Sequence, residues 1–124
     1  MVFIVRQERM DELKREKLIS VALEEFAISG LENASYNRII ERSGLSKGSV
    51  YYYFDNKDSL LSMVLEQIST GFINSMSSFE LPTSKEEYWQ KFYEYNQKAF
   101  SYFINQPLSG QVMFMLLSNA EFPD

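Results

Sequence analysis

The chain of 124 residues contains no cysteine and no histidine. Without cysteine it can form neither disulfides nor zinc–thiolate sites, so a reducing compartment is permitted. Without histidine it lacks the commonest general base and the commonest transition-metal ligand. These absences argue against an enzyme, and we predict no catalytic residue, no metal site and no cofactor.

Long hydrophobic runs are also absent. No stretch approaches the roughly 20 apolar residues that a membrane span needs. The apolar start over residues 1–5 is interrupted by Arg6 and is followed by polar residues, which does not support a signal peptide. We expect a cytoplasmic protein with no membrane partner.

The composition is that of a folded protein, with 45% hydrophobic, 15% aromatic and 23% charged residues. The net charge of −5 is unevenly distributed: residues 1–58 hold nine Lys or Arg against ten Asp or Glu, whereas residues 59–124 hold three against seven. A nearly neutral first half can still bind phosphate if its cations share one face. The acidic total therefore does not exclude a nucleic-acid partner.

Three helices are predicted in the first 54 residues. Apolar residues recur with helical spacing over residues 10–29 and stop at Gly30. Ser35 can cap a second helix over residues 36–43, which buries Ile39 and Ile40, and Ser46 can cap a third over residues 47–54. The two short helices are joined by a tight turn that contains glycine, which is the arrangement of a helix-turn-helix.

Three more helices are predicted downstream. A long fourth helix runs from Lys57 to about Phe79, with Gly71 inside it at some cost in helix propensity. A fifth begins at Ser84, where Glu87 offers a possible capping box, and ends before Pro107. The apolar segment 112–117 favours a sixth helix, although it also suits a buried strand. We predict an all-α protein with two domains, residues 1–56 and 57–124.

The third helix carries residues suited to DNA. Val50 and Phe54 share a face with Leu45 and fit a buried stripe. Three consecutive tyrosines, 51–53, spread over roughly 200° of the helix surface, so one or two of them must face outward. Beside Lys47 these side chains suit a major groove, and Gly48 would allow close backbone approach. The alternatives are that the tyrosines cover the junction with the fourth helix or form a protein-binding patch.

The stretch IIERSGLSKGSVYYYFDNKDSL, from Ile39 to Leu60, resembles the signature of TetR-type transcriptional regulators, as does the segment from Ile19 through Phe26 to Gly30. The resemblance covers about the first 65 residues. It implies a homodimer that places two recognition helices in successive major grooves of a near-palindromic operator in double-stranded DNA, and that acts as a repressor released by a small-molecule effector. The candidate DNA contacts are Ser35, Tyr36, Asn37, Ser46, Lys47, Gly48, Ser49, Tyr51, Tyr52, Tyr53 and Lys57.

The chain departs from the family pattern in three respects. Ile40 stands where small residues are usual, and Tyr36 is bulky for a position just inside the second helix. Family members are longer and place their two main dimerisation helices near the C-terminus. We therefore expect those helices to be missing from this chain.

No motif is found beyond residue 65, where the family implies a varied effector domain. Aromatic and apolar side chains there could line a cavity for a flat, apolar small molecule, although ordinary core packing is the alternative. The candidate ligand-binding residues are Phe72, Met76, Trp89, Phe92, Tyr93, Phe100 and Phe103. Tyr95 and Tyr102 fall on other faces and suggest a second contact surface.

Two other functions are compatible with a helical protein of this kind. The first is a TetR-fold interaction module that binds another protein and does not read DNA. The second is a helical enzyme that uses paired carboxylates, such as Glu24 with Glu25 or Glu86 with Glu87. Adjacent helical positions point about 100° apart and do not converge, so we expect these pairs to lie on solvated faces.

Overall fold

The computed structural model describes residues 10–76 and 80–119, and in those ranges the chain forms six α-helices and no strand. This confirms the all-α prediction. No helix in the described ranges is long and apolar enough to cross a membrane. The helices are α1 (Glu12–Ser29), α2 (Tyr36–Ser43), α3 (Lys47–Tyr53), α4 (Lys57–Ser75), α5 (Lys85–Asn105) and α6 (Pro107–Ser118).

The first five helices each begin at a side chain that accepts a hydrogen bond from a backbone N–H of the first turn. Such a cap satisfies a donor that has no partner inside the helix and contributes about 1 kcal/mol. The predicted serine caps are confirmed. The capping residues are Asp11, Ser35, Ser46, Asn56 and Ser84.

Two predicted helix details were wrong, and a third was confirmed with different bounds. The fourth helix ends at Ser75, not near Phe79, which lies outside the described residues. The predicted sixth helix is confirmed, but it begins at Pro107, ahead of the predicted segment 112–117. The fixed φ and missing N–H of Pro107 suit the first helical position. The Glu87 carboxylate accepts hydrogen bonds from the backbone and hydroxyl of Thr83, whereas a capping box would bind the Ser84 N–H.

A continuous apolar core joins the helix-turn-helix head to the rest of the chain. Leu18 and Phe26 of α1, and Ile39 of α2, are fully buried. Leu60 of α4 and Val112 of α6 are also fully buried and belong to the same cluster, because α1 packs against α2, α4 and α6. The division into domains after residue 56 stays a prediction.

Gly71 makes room inside α4 for Tyr102 of α5. A Cβ atom at Gly71 would lie 2.5 Å from the Tyr102 hydroxyl oxygen. That hydroxyl donates a hydrogen bond of 3.2 Å to the Ile68 carbonyl, and its ring meets Phe72 edge to face with centroids 5.7 Å apart. The expectation that Tyr102 forms a separate contact surface was therefore wrong, because it packs against α4.

Candidate nucleic-acid interface

The turn between α2 and α3 is held by backbone conformation and by one buried hydroxyl. Gly44 ends α2 in the left-handed region, with φ +73°. The Ser43 hydroxyl donates to the Ile40 carbonyl at 2.6 Å and accepts from the Leu45 N–H at 3.2 Å. Leu45 packs against the core as predicted. These contacts fix the direction in which α3 leaves the turn.

Helix α3 has a buried face and an exposed face. Val50 is fully buried, and so is Phe54, which follows the helix in extended conformation. On the other face Tyr51 is 58% exposed and Tyr52 is 51% exposed. The prediction that one or two of the tyrosines face outward is confirmed.

The remaining candidate residues of α3 surround this exposed face. Tyr53 is half-buried and meets Tyr52 edge to face, with ring centroids 4.9 Å apart. Lys47 and Gly48 are exposed in the first turn. Ser49 is half-buried, and its N–H donates to the Ser46 hydroxyl at 3.2 Å. The surface thus combines one cation, small residues and two aromatic rings with hydroxyl groups.

Tyr36 connects the first turn of α2 to the residue that ends α3. Its hydroxyl donates a hydrogen bond of 2.6 Å to the Phe54 carbonyl. Burial raises the pKa of the Tyr36 phenol, and the neighbouring Tyr51 and Asp55 raise it further. While this bond is made, the hydroxyl proton is not available to a phosphate, so the main role of Tyr36 in this structure is to position α3.

The remaining candidate DNA contacts lie at the starts of α2 and α4. The Lys57 ammonium donates to the Glu32 carbonyl at 2.7 Å, which leaves two of its three N–H groups for other acceptors. The Ser35 hydroxyl caps α2 through the Arg38 N–H, and Asn37 is exposed beside it. Lys57 therefore ties α4 to the loop between α1 and α2 while keeping donors available.

A buried ion pair behind the interface was not predicted from the sequence. Glu25 of α1 is only 2% exposed, and its carboxylate accepts from Arg38 Nη2 at 2.7 Å and from Arg38 Nε at 2.9 and 3.0 Å. It also accepts from the Ser35 N–H at 3.0 Å. Arg38 lowers the pKa of Glu25 to about 2 against the opposing effect of burial, and the Ser35 N–H lowers it further.

The expectation that Glu24 and Glu25 both lie on a solvated face was therefore wrong for Glu25. Glu24, with a side chain 43% exposed, forms an outer pair with Arg42 at 2.7 Å. Glu25 lies seven residues after Leu18 and three after Ala22, both fully buried, so it falls on the apolar stripe of α1. A carboxylate on this apolar stripe was the sequence feature that could have indicated a buried ion pair with a cationic partner.

Residues 18–64, which include α2, α3 and the turn between them, match the family model described as bacterial regulatory proteins, tetR family. The helix-turn-helix head of this chain is similar to the tetR family over these 47 residues. The matched segment begins at the first fully buried residue of α1 and ends at the buried Val64 of α4. It therefore includes most of the elements that position the exposed face of α3.

Several bacterial regulators are similar in sequence to this chain. The uncharacterised HTH-type transcriptional regulator YvdT of Bacillus subtilis (strain 168) is 33% identical over 63 residues, which cover 51% of this chain and 32% of YvdT. The tetracycline repressor protein class C of Escherichia coli is 33% identical over 91 residues, covering 73% of this chain and 39% of that protein. The regulator RutR of Escherichia coli (strain K12) is 30% identical over 74 residues, which cover 60% of this chain and 35% of RutR.

The chain spans about a third of the length of these relatives. All three are named as regulators or repressors, which supports the prediction of a chain that is not an enzyme. No solved structure is significantly similar to the chain.

Beyond the helix-turn-helix head, the seven candidate ligand-binding side chains are not brought together. Phe72 and Phe103 stack with centroids 5.5 Å apart, and Met76 is buried. Trp89 and Phe92 belong instead to a surface group with Tyr88, with centroid separations of 5.3 to 6.3 Å. Two others are mostly exposed, Tyr93 at 60% and Phe100 at 70%.

The predicted aromatic cavity is therefore not enclosed by the described residues. Helix α5 contributes no buried residue, because its described packing partners are α4 and α6 and most of its circumference stays uncovered. A regular aromatic stripe predicts an apolar helix face but does not identify what covers it.

Proposed function

We propose that this chain is a sequence-specific DNA-binding transcriptional regulator that places α3 in the major groove. The observation that carries the proposal is the division of α3 into two faces. Val50 and the following Phe54 anchor it to the core, while Tyr51, Tyr52 and Lys47 are exposed on its outer surface. In a helix-turn-helix, the second helix contacts base edges in this way.

The exposed residues of α3 have the chemistry that a groove requires. Tyrosine hydroxyls can bond base edges or phosphates, and their ring carbons can contact thymine methyl groups. Lys47 supplies a cation, since among the described residues no carboxylate lies within ion-pair distance of it. Arg38 and Arg42 are instead engaged by Glu25 and Glu24. Lys47 is thus a cation of the proposed interface that has no ion-pair partner among the described residues.

Residues on both sides of α3 would bind the DNA backbone. Asn37 is exposed in the first turn of α2, and Lys57 has donors to spare at the start of α4. Such contacts fix the orientation of the head on the duplex but carry no sequence information. Ser35 and Ser46 would contribute mainly by capping the helices that carry the other groups.

We further propose a repressor that acts as a homodimer on a near-palindromic operator and is released by a small-molecule effector. This finer proposal is supported by the family of the head and by the name of one relative, the tetracycline repressor protein class C. An effector can release DNA only to the extent that it binds the two conformations of the protein unequally.

The test compares Tyr52→Ala with Tyr93→Ala, which removes a similarly exposed tyrosine from α5. On a duplex selected by the unaltered protein, Tyr52→Ala is expected to weaken binding by about 1 to 3 kcal/mol, whereas Tyr93→Ala leaves it unchanged. Fluorescence anisotropy with a labelled duplex measures both.

Lys57→Ala tests the backbone contacts, with Lys85→Ala as a control for the loss of an exposed lysine on α5. Lys57→Ala is expected to weaken binding to every duplex and to reduce the slope of log affinity against log salt by about 1. Equal, negligible effects of Tyr52→Ala and Lys57→Ala would contradict the assigned face and favour the protein-interaction module.

A further inference from the structure

A cleft of about 520 Å³ lies where α1 and α4 meet the end of α5 and the start of α6. This volume is in the range of small-molecule sites, roughly 300 to 1,000 Å³. Its apolar walls are formed by Ile19 and Leu23 of α1 and by Val64 and Ile68 of α4. None of the seven residues predicted to bind a ligand lines this cleft.

The start of α6 brings hydrogen-bond donors without partners to one end of the cleft. Ser109 lines the cleft and is only 4% exposed, and its hydroxyl makes no hydrogen bond within residues 10–76 and 80–119. A buried hydroxyl without a partner costs about 1 to 3 kcal/mol, so such groups usually have one. The unpaired hydroxyl therefore points to an acceptor that the protein does not supply.

Backbone N–H groups at the start of α6 also lack hydrogen-bond partners within the helix. Helix α6 is the one helix of the described six that begins without a side-chain cap. Pro107 has no N–H and the Gly110 N–H bonds to the Gln106 carbonyl, so the N–H groups of Leu108 and Ser109 have no helical partner. A helix start with free N–H groups favours a negatively charged group.

Arg15 adds a positive charge to the lining of the same cleft. It is half-buried, and no carboxylate among the described residues lies within ion-pair distance of it. Glu12 and Glu16 also line the cleft, but both are exposed, so water and salt weaken their repulsion of an anion. The buried or half-buried polar groups of the cleft are thus the hydrogen-bond donors at the start of α6 and the Arg15 cation, and they lie beside the apolar walls of α1 and α4.

We propose that this cleft binds a small organic carboxylate, with its apolar body against α1 and α4 and its charged group near the start of α6 and Arg15. Because the walls belong both to α1 of the head and to α6, a bound molecule would connect the position of the head to the remainder of the chain. An effect of this molecule on DNA binding rests on the proposed function, whereas the binding itself does not.

The binding test uses three probes of similar shape: naphthalene-2-carboxylate, its neutral carboxamide and the cationic 2-naphthylmethylammonium. Each is titrated into the ¹⁵N-labelled chain while the amide signals of Gly71, Ser109 and Gly110 are followed by NMR. We expect the carboxylate to give saturable shifts at these residues and to bind at least about tenfold more tightly than the other two probes. Absence of these shifts, or equal binding of the carboxamide, would overturn the proposal.

Two variants assign the binding to the named groups. Arg15→Gln is expected to weaken carboxylate binding about tenfold, whereas Lys14→Gln, which removes a neighbouring exposed cation outside the cleft, leaves it unchanged. Ser109→Ala is expected to weaken binding while leaving the chain at least as stable to urea, since the hydroxyl has no structural partner. Equal effects of Arg15→Gln and Lys14→Gln, or a loss of stability in Ser109→Ala, would contradict the assignment.

The titration contains no DNA, so its outcome is separate from that of the proposed function. Failed carboxylate binding alongside normal duplex binding overturns the cleft and leaves the regulator intact. Normal carboxylate binding with no duplex binding overturns the regulator and leaves the cleft.

Discussion

Replacing Glu25 by glutamine removes the charge that holds Arg38 against α1 while keeping an oxygen that can accept from the Ser35 N–H. The pKa of Glu25 falls from 4.5 to about 2 in the folded chain, mainly through Arg38. At about 1.4 kcal/mol per pH unit, this difference corresponds to about 3 kcal/mol of stabilisation. Because the Arg38 side chain is 51% exposed, water screens part of that energy, and we expect Glu25→Gln to cost about 2 kcal/mol at pH 7.

The pH dependence follows from the lowered pKa. Since the folded chain binds a proton at Glu25 less readily than the unfolded chain, the stabilisation is present above pH 4.5 and is lost as the pH falls from 4.5 towards 2. The difference in unfolding free energy between the parent and Glu25→Gln is therefore expected to shrink below about 1 kcal/mol at pH 3.

Urea unfolding followed by circular dichroism at pH 7 and pH 3 measures this difference. Glu24→Gln is the matched control, because Glu24 is the adjacent residue and pairs with Arg42 at the surface, where such pairs contribute about 0 to 1 kcal/mol. An undiminished difference at pH 3, or an equal cost for Glu24→Gln, would refute the assignment of the stabilisation to the buried pair.

Three further changes test other contacts of the head and of α4. Tyr36→Phe removes the hydrogen bond to Phe54 and is expected to cost about 1 kcal/mol in urea unfolding, so an unchanged midpoint would contradict its role in positioning α3. Gly44→Ala places a Cβ at φ +73° and is expected to destabilise the chain by about 1 kcal/mol. The control Gly48→Ala, inside α3, is expected to stabilise the chain by up to about 1 kcal/mol. Changes of the same sign in the unfolding free energies of the two variants would be inconsistent with the left-handed turn. Gly71→Ala displaces Tyr102, so we expect it to give less than the usual gain in helix stability of about 1 kcal/mol. In a Tyr102→Phe background, which lacks the contacting hydroxyl, that gain is expected to be largely restored. Equal effects of Gly71→Ala in both backgrounds would exclude the contact.

The helix-turn-helix could be predicted because its signals are local. Ser35 and Ser46 each cap the helix that follows them, and Gly44 takes the left-handed conformation that a tight turn needs. Val50 and Phe54 mark the buried face of α3 by their spacing, which leaves the neighbouring tyrosines on the outside. Such short-range features depend on a few consecutive residues and do not require knowledge of the tertiary structure.

Features that depend on distant segments were missed. Glu25 becomes a buried ion-pair partner only because Arg38, 13 residues later, returns to α1. Gly71 is explained only by Tyr102, 31 positions along the chain, since a helical pattern alone shows the cost of a glycine but not the neighbour that requires it.

The predicted ligand-binding residues depend on distant segments in the same way. Helical spacing placed Phe92 and Phe100 on α5 but did not show that the other described helices would leave both side chains largely exposed. The cleft between α1, α4 and α6 is lined instead by residues such as Ser20 and Gln106. These residues carry no aromatic or charge pattern that would single them out in the sequence.

Whether α3 reads DNA is tested most directly by selecting bound sequences from a random duplex pool with this chain at two salt concentrations. The proposed function predicts enrichment of a defined sequence and an affinity that falls as salt rises, because Lys47 and Lys57 displace counterions from phosphates. Binding that shows neither sequence enrichment nor salt dependence, from protein verified to be folded and dimeric, would contradict it.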